Sequence, residues 1–285
     1  MQKSISIMLV LVLVFSMLTA CDTPPPASQS PAPRVEVPPE ATPDAPTPSG
    51  EALDLPFTLI PLEGAENVRD LGGYIGTDGK AVNFNVFIRS AKLNTLTDAD
   101  QKILFEEVGV DCIIDLRSAS EAGHYPDIHP EGVDYYSISV PTYGEGVIIN
   151  SLADMYMAAL DMGQAEILAI MEIMANPEYE TILFHCNAGK DRTGVIAMLL
   201  LGLAGVDNDT ISEDYKWSEQ FNEKTTAETL AERPDLKEFF VKTPKYEMQS
   251  TLEYLDRYHG GAVAYLTAIG LGLEQQQLII DKMLG

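Results

Sequence analysis

Apolar residues in this chain fall into short β-rich runs separated by longer stretches of helical period. NFNVFIRS (83–90), VDCIIDLRS (110–118), VDYYSISV (133–140) and TILFHC (181–186) each predict a strand, being rich in Val, Ile, Phe and Tyr and ending at polar or turn-forming residues. Thr97 followed by Asp100 is a capping signal for a helix running to Val108, where Gly109 stops it. Residues 151–175 keep a helical period up to Asn176-Pro177 and predict one long helix, whose Met155, Met157, Met162, Met171 and Met174 serve packing. TGVIAMLLLGLAG (193–205) is apolar on every side, the mark of a buried helix. From Asp209 the pattern is helical almost to the end, with breaks near Pro234, Pro244 and Gly260-Gly261. Strands alternating with helices predict an α/β domain with a central, mostly parallel sheet flanked by helices, and a helical C-terminal part. Such sheets bind ligands at the carboxyl ends of their strands. Position 186 is one of those ends.

The first fifth of the chain has a different pattern. Met1 to Ala20 carries a single basic residue, Lys3, followed by an apolar run with the layout of a secretory signal. It ends in Leu18-Thr19-Ala20-Cys21, which resembles the bacterial lipobox, in which the cysteine is lipidated and becomes N-terminal after cleavage. An uncleaved membrane anchor is the alternative, and either one puts the remainder outside the cytoplasm, held to the cell membrane. Residues 21–55 are dominated by Pro, Ala, Ser and Thr, which forbids ladders and buries too little apolar surface to order the chain, so they predict a tether. One domain spans 56–285, without an internal repeat. The formal charge of −25 excludes a broad basic face for nucleic acid, though not an anion held in one basic pocket. With Cys21 acylated, Cys112 and Cys186 remain; Cys112 lies inside an apolar strand and reads as core, although one disulfide between the two is open.

The candidate chemistry sits where TILFHC turns into the buried helix. Cys186 to Arg192 is Cys-x5-Arg, closing at a helix N-terminus, whose unpaired N–H groups and partial positive charge favour anions. There, beside Lys190 and Arg192, a thiol ionises more readily than a free one. Gly189 lets successive N–H groups turn inward as an anion nest. Arg192 offers two parallel hydrogen bonds to a tetrahedral oxyanion, and Thr193 can donate to the thiolate. Each group suits thiol attack on phosphorus.

His185-Cys186-Asn187-Ala188-Gly189-Lys190-Asp191-Arg192-Thr193-Gly194 resembles the signature loop of the cysteine-dependent protein tyrosine phosphatases, in the bacterial Ala-Gly-Lys-Asp-Arg-Thr branch, some of whose members also act on phosphoinositides. Asn67 to Tyr74, Phe87 to Ser90 with Leu93 and Leu96-Thr97, and Asp115 to Ser118 with Glu121 match the same branch in order. The resemblance implies a phosphatase domain acting on a phosphorylated protein or a phosphoinositide-type substrate, without metal or other cofactor. Cys186 would form a phosphocysteine. Arg192 and the N–H groups of Asn187 to Arg192 would hold the phosphoryl oxygens, His185 would position the loop and keep the thiol ionised, and Lys190 would hold further phosphates or head groups. The general acid of relatives is an aspartate on the loop after the strand corresponding to 133–140, where this chain has Thr142; Asp191 is the favoured substitute and Glu145 the other candidate. Arg69, Asp70, Asp115 and Arg117 read as ion-paired supports, and His124, His129 and His259 as surface or capping residues. A catalytically dead phospho-ligand binder would lack Cys186 or Arg192, and a sulfurtransferase would lack the Arg-Thr-Gly continuation; both marks favour a phosphatase.

Overall fold

The computed structural model describes residues 57–142, 148–232 and 241–285. The signal segment, Cys21, the tether, Glu145 and the break at Pro234 lie outside the described residues.

Five strands form one sheet: β1 (Arg69–Asp70), β2 (Phe87–Ser90), β3 (Cys112–Asp115), β4 (Asp134–Ser137) and β5 (Ile182–His185), in the spatial order β1-β2-β5-β3-β4. All neighbouring pairs are parallel except β1 with β2. The four predicted strands are present, each trimmed at its ends. β1 escapes a period-based reading because two residues carry no alternation. β2, β3 and β5 are buried throughout, as expected of parallel strands covered on both faces. β5 lies between β2 and β3, so its last residue pairs with Ser90 on one side and Asp115 on the other. That register delivers His185 and Cys186 to the middle of the sheet's carboxyl edge.

The helices follow the sequence pattern with one correction. Thr97 caps α1 (Asp98–Gln101) through a reciprocal box with Asp100, and the helix runs on as a wider π turn over Lys102–Glu107 before Gly109 turns at φ +84°. Residues 151–175 are two helices, α3 (Leu152–Met162) and α4 (Gln164–Ala175), where one was predicted. Gly163 separates them because a Cβ there would come within 2.7 Å of the Ala159 carbonyl and 3.1 Å of Pro141 Cδ, a close approach that hydrophobic periodicity cannot register. Of the methionines assigned to packing, Met171 and Met174 are fully buried and Met162 is half-exposed. α2 (Ala119–His124) follows β3, capped by Ser118. α5 (Asp191–Leu203) runs back from the end of β5 and is buried from Thr193 to Leu201, so core surrounds it on all sides. The C-terminal part is helical: α6 (Asn208–Gln220), α7 (Glu223–Glu232), α8 (Lys245–Tyr254), a π turn over Leu255–His259, α9 (Ala262–Ala268) and α10 (Leu273–Leu284). Gly260 and Gly261 mark the expected break at φ +80° and +90°.

The register also decides the open disulfide. Cys112 opens β3 opposite Ile182, whereas Cys186 follows the far end of β5. At about 3.3 Å per residue the four-residue offset puts the two Cα atoms ~13 Å apart along the sheet, beyond the reach of a bridge. Both are free, and burial pushes the Cys112 thiol up to about 12, making it an inert part of the core.

Candidate active site

The loop from Cys186 to Asp191 is shaped from outside by hydrogen bonds to its carbonyls. Lys92 N–H donates to the Asn187 carbonyl at 3.2 Å. Asn67 and Asn222 donate to that of Ala188 at 3.0 and 2.9 Å, and Asn67 and Arg89 to that of Gly189 at 2.9 and 2.8 Å. In a planar trans peptide the N–H points opposite to the C=O. Three outward carbonyls therefore aim the N–H groups of Ala188, Gly189 and Lys190 into the pocket. Gly189 adopts φ +61°, and a Cβ there would sit 2.4 Å from the Ser90 carbonyl oxygen. No other residue fits this turn.

The residues that grip the loop are gripped in turn. Arg69 and Arg89, both fully buried, flank the carboxylate of Asp214 on α6; Arg69 Nε is 2.9 Å from it, and Tyr74 donates to it at 3.0 Å. Despite the desolvation of a buried carboxyl, the two guanidinium groups hold Asp214 below the usual carboxylate range. Arg69 and Arg89 thereby tie β1, β2 and α6 to the back of the loop. Asp70 departs from expectation: no ion pair of it is present among the described residues, and it accepts from the backbone N–H of Gly72 and Asn85 at 2.7 and 2.6 Å, fixing the chain between β1 and β2. Burial raises its pKa. Asp115 and Arg117 do pair, at 2.8 Å.

Inside the pocket, Cys186 is almost fully buried, which by itself would disfavour a thiolate. The Arg192 guanidinium and donation by Thr193 outweigh that burial and the opposing charge of Asp191, leaving the thiol below its ordinary range. The buried Thr193 hydroxyl has no hydrogen-bond partner among the described residues, which leaves it available to the sulfur. Arg192 is clamped by Glu121 of α2 through two bonds of 2.7 and 2.8 Å, and the clamp draws the Glu121 carboxyl down to about 2. Glu121 Oε2 also accepts from the Ser118 N–H and hydroxyl, both at 2.9 Å, so the cap of α2 and the aim of Arg192 are one device.

Asp191 is the first residue of α5 and lines the pocket mouth. Its Oδ1 accepts from the Tyr156 hydroxyl at 2.6 Å and lies 3.5 Å from Lys190 Nζ; Tyr156 is bonded to Tyr215 at 2.7 Å. Lys190 is buried, its ammonium also reaching the Lys242 carbonyl at 3.4 Å. Two hollows meet at Glu121, Asp191 and Arg192. One, of about 240 Å³, reaches Cys186 and is walled by α7 with Thr225, Thr226 and Thr229; the other, of about 660 Å³, opens toward residues 139–142. His185 lies beneath Cys186, its Nδ1 3.1 Å from the Cys186 carbonyl oxygen and its Nε2 3.1 Å from Asp127. Asp115, Asp127 and His185 together resemble a metal-ligand set, but the Arg117 guanidinium occupies both carboxylates, which makes the cluster an ion-pair network. His124 and His129 bond neighbouring carbonyls, and His259 faces Asp161 at 3.5 Å, as expected of capping and surface residues.

Of the residues from His185 to Thr193, Cys186, Asn187, Ala188, Lys190, Asp191 and Arg192 line one pocket, with His185 beneath it; the sequence pattern could group them because the motif is contiguous. It missed Asn222, Tyr156, Tyr215, Asp127 and Asp214, which reach the site from distant segments. Glu121 stood out in the block that matches the family with Asp115 to Ser118, but neither that match nor its place three residues after Ser118 pointed to Arg192.

A Cys-x5-Arg loop joining a central parallel strand to a buried helix, with its N–H groups turned inward, defines an anion-binding thiol site. The chain belongs to the tyrosine phosphatase family, whose pattern matches residues 60–285. It is 36% identical over 152 residues to a tyrosine-protein phosphatase of Nostoc commune, a match covering 50% of this chain and 51% of that one, so the chain spans about half the length of that relative. It is 31% identical to a Cupriavidus necator protein provisionally named a tyrosine-protein phosphatase, over 71% of this chain and 76% of the other. The core catalytic domain of the PP-IP phosphatase SIW14 from S. cerevisiae is similar at 17% identity and a TM-score of 0.33, covering 63% of this chain and 98% of that one.

Proposed function

We propose that the protein hydrolyses phosphate monoesters, phosphotyrosine and phosphoinositides among them, through a phosphocysteine on Cys186. The observation that carries this reading is a thiol held below its ordinary pKa at the floor of an N–H-lined pocket, facing a guanidinium already oriented by Glu121. Cys186 Sγ attacks phosphorus, the P–O bond breaks, and the leaving oxygen takes a proton from Asp191. Water then attacks phosphorus, the P–S bond breaks, the sulfur departs as thiolate and Asp191 receives the proton of the water. Arg192 and the N–H groups of Ala188, Gly189 and Lys190 stabilise the phosphoryl oxygens in both steps. Lys190, buried in the pocket lining, would add positive charge toward substrates carrying a second phosphate or a lipid head group. The sequence around Cys21 supports an extracytoplasmic, lipid-anchored domain on a proline-rich tether.

A panel of phosphopeptides, phosphoinositides and inositol polyphosphates, assayed for released phosphate with the full chain and with Cys186→Ser, tests the reading. Turnover of at least one class by the wild type and by no class in the variant is expected. Binding without turnover in the wild type would leave a phospho-ligand-binding lipoprotein instead.

The acid assignment has its own test. Proton donation to a poor leaving group is worth about 100- to 10,000-fold, and an activated aryl ester needs far less. Asp191→Asn is therefore expected to slow phosphotyrosine hydrolysis far more than that of p-nitrophenyl phosphate in kcat. Equal losses on both substrates would make Asp191 structural, and a selective loss in Glu145→Gln would hand the role to that residue.

A further inference from the structure

Below the signature loop lies a closed set of ionisable groups that the chemistry above does not use. Asp127 comes from the segment between α2 and β4, flanked by Pro126 and Ile128, and its side chain is 1% exposed. It accepts from Leu93 N–H at 2.8 Å, from Arg117 at 2.5 Å and from the Tyr135 hydroxyl at 2.9 Å, besides facing His185 Nε2 at 3.1 Å. Leu93 N–H and Arg117, with the Tyr135 hydroxyl shared with Asp115 at 2.8 Å, keep this buried carboxyl ionised and fixed in direction. The other ring nitrogen of His185 faces the Cys186 carbonyl, which can only accept. Nε2 makes no aligned hydrogen bond to Asp127, but a buried ring nitrogen 3.1 Å from one carboxylate and 3.9 Å from another, those of Asp127 and Asp115, is stabilised there by charge when it carries a proton. The local charges agree: Asp115 and Asp127 against Arg117 alone would leave a net negative charge in the core, and a protonated His185 cancels it.

We propose that Asp127 is the positioning residue that maintains His185 as an imidazolium beneath Cys186 and thereby sets the pH at which the thiolate forms. The proposal rests on Cys186 being the nucleophile. Burial of His185 opposes its charge, but Asp127 and Asp115 outweigh that and the repulsion of Arg117, and its pKa lies above the ordinary value. The groups facing Cys186 itself are Arg192 and Thr193, which favour the thiolate, and Asp191, which opposes it. The imidazolium is a further positive charge, bonded to the carbonyl of the same residue, and it works in the sense of Arg192. Replacing the Asp127 carboxylate by an amide removes the charge that pays for the imidazolium and offers Nε2 a donor, so the ring becomes neutral. The thiolate then loses that support and its pKa rises.

The test follows the rate of Cys186 alkylation by iodoacetamide against pH, without substrate, in the wild type, Asp127→Asn and Tyr135→Phe. Asp127→Asn is expected to raise the midpoint by about one pH unit, making alkylation below it about tenfold slower, with the acid limb of kcat/KM moving alongside. Tyr135→Phe removes a neutral hydrogen bond from the same carboxylates and is expected to leave the midpoint in place. In a His185→Gln background Asp127→Asn should add no further shift. A lowered Tm and kcat with an unmoved midpoint would reduce Asp127 to a structural support. Should Asp127→Asn not fold, nitrogen NMR of the wild-type His185 ring decides: protonation of both nitrogens at neutral pH is expected, and a neutral ring overturns the proposal. If instead Cys186→Ser stays active, the nucleophile assignment fails while the state of the His185 ring is read independently.

Discussion

Glu121 touches no reacting atom in the proposed chemistry, yet its removal is expected to weaken catalysis measurably. The Glu121 carboxyl is drawn from 4.5 to about 2, first by its bond with Arg192 and then by Ser118. Taken at face value, that drop corresponds to about 3 kcal/mol. The Glu121 side chain is 33% exposed, so solvent screens the pair, and about 1–2 kcal/mol is the working figure. Without the clamp, Arg192 must be ordered by the substrate itself, and the cost falls on phosphoryl binding. Glu121→Ala is therefore expected to lower kcat/KM about tenfold, with a similar rise in the inhibition constant of inorganic phosphate. The same pair links stability to pH. Because the folded-state pKa is depressed, its contribution is fully present above about 4.5 and is lost as the pH falls toward 2. Tm measured down that range should thus fall less steeply in Glu121→Ala than in the wild type. Unchanged kcat/KM and phosphate inhibition in the variant would refute the view that Glu121 orients Arg192.

Four other substitutions probe separate parts of the account. Gly189→Ala is expected to distort the loop, since the new methyl would lie 2.4 Å from the Ser90 carbonyl oxygen at φ +61°; kcat/KM and phosphate binding should both collapse, and near-normal values would contradict the turn geometry. Arg192→Ala should lose turnover and phosphate binding together, whereas Cys186→Ser should lose only turnover, as equilibrium binding of inorganic phosphate would show. Cys21→Ala should release the protein from the membrane fraction or block its processing, and an unaltered, membrane-bound product would remove the lipobox reading.

How much of this was legible in the sequence follows from distance along the chain. The motif residues are contiguous, and strand, turn and helix around them are encoded by neighbours: β-branched density before Cys186, Gly189 at the turn, an all-apolar run after Thr193. The supports are not encoded locally. Asp214 meets Arg69 across 145 positions, and Asn222 meets Ala188 across 34, so nothing in the spacing of either marks its partner. Arg69 and Asp70 both read as ion-paired supports; in the fold Arg69 meets Asp214, while Asp70 accepts from the backbone. Asp127 sits in HYPDIHP, a proline-rich loop whose composition announces a turn and conceals a buried carboxylate. The division of residues 151–175 at Gly163 was hidden because the contacts that demand glycine, to the Ala159 carbonyl and to Pro141, leave no mark on the hydrophobic period.

The central claim is that Cys186 carries the phosphoryl group during turnover. Rapid acid quenching of the enzyme with a saturating aryl phosphate, followed by intact-protein and peptide mass spectrometry, tests it directly. The expected result is a species heavier by one phosphoryl group, mapped to Cys186 and absent from Cys186→Ser. Turnover that proceeds with no such species, or with the phosphoryl group on another residue, would contradict it.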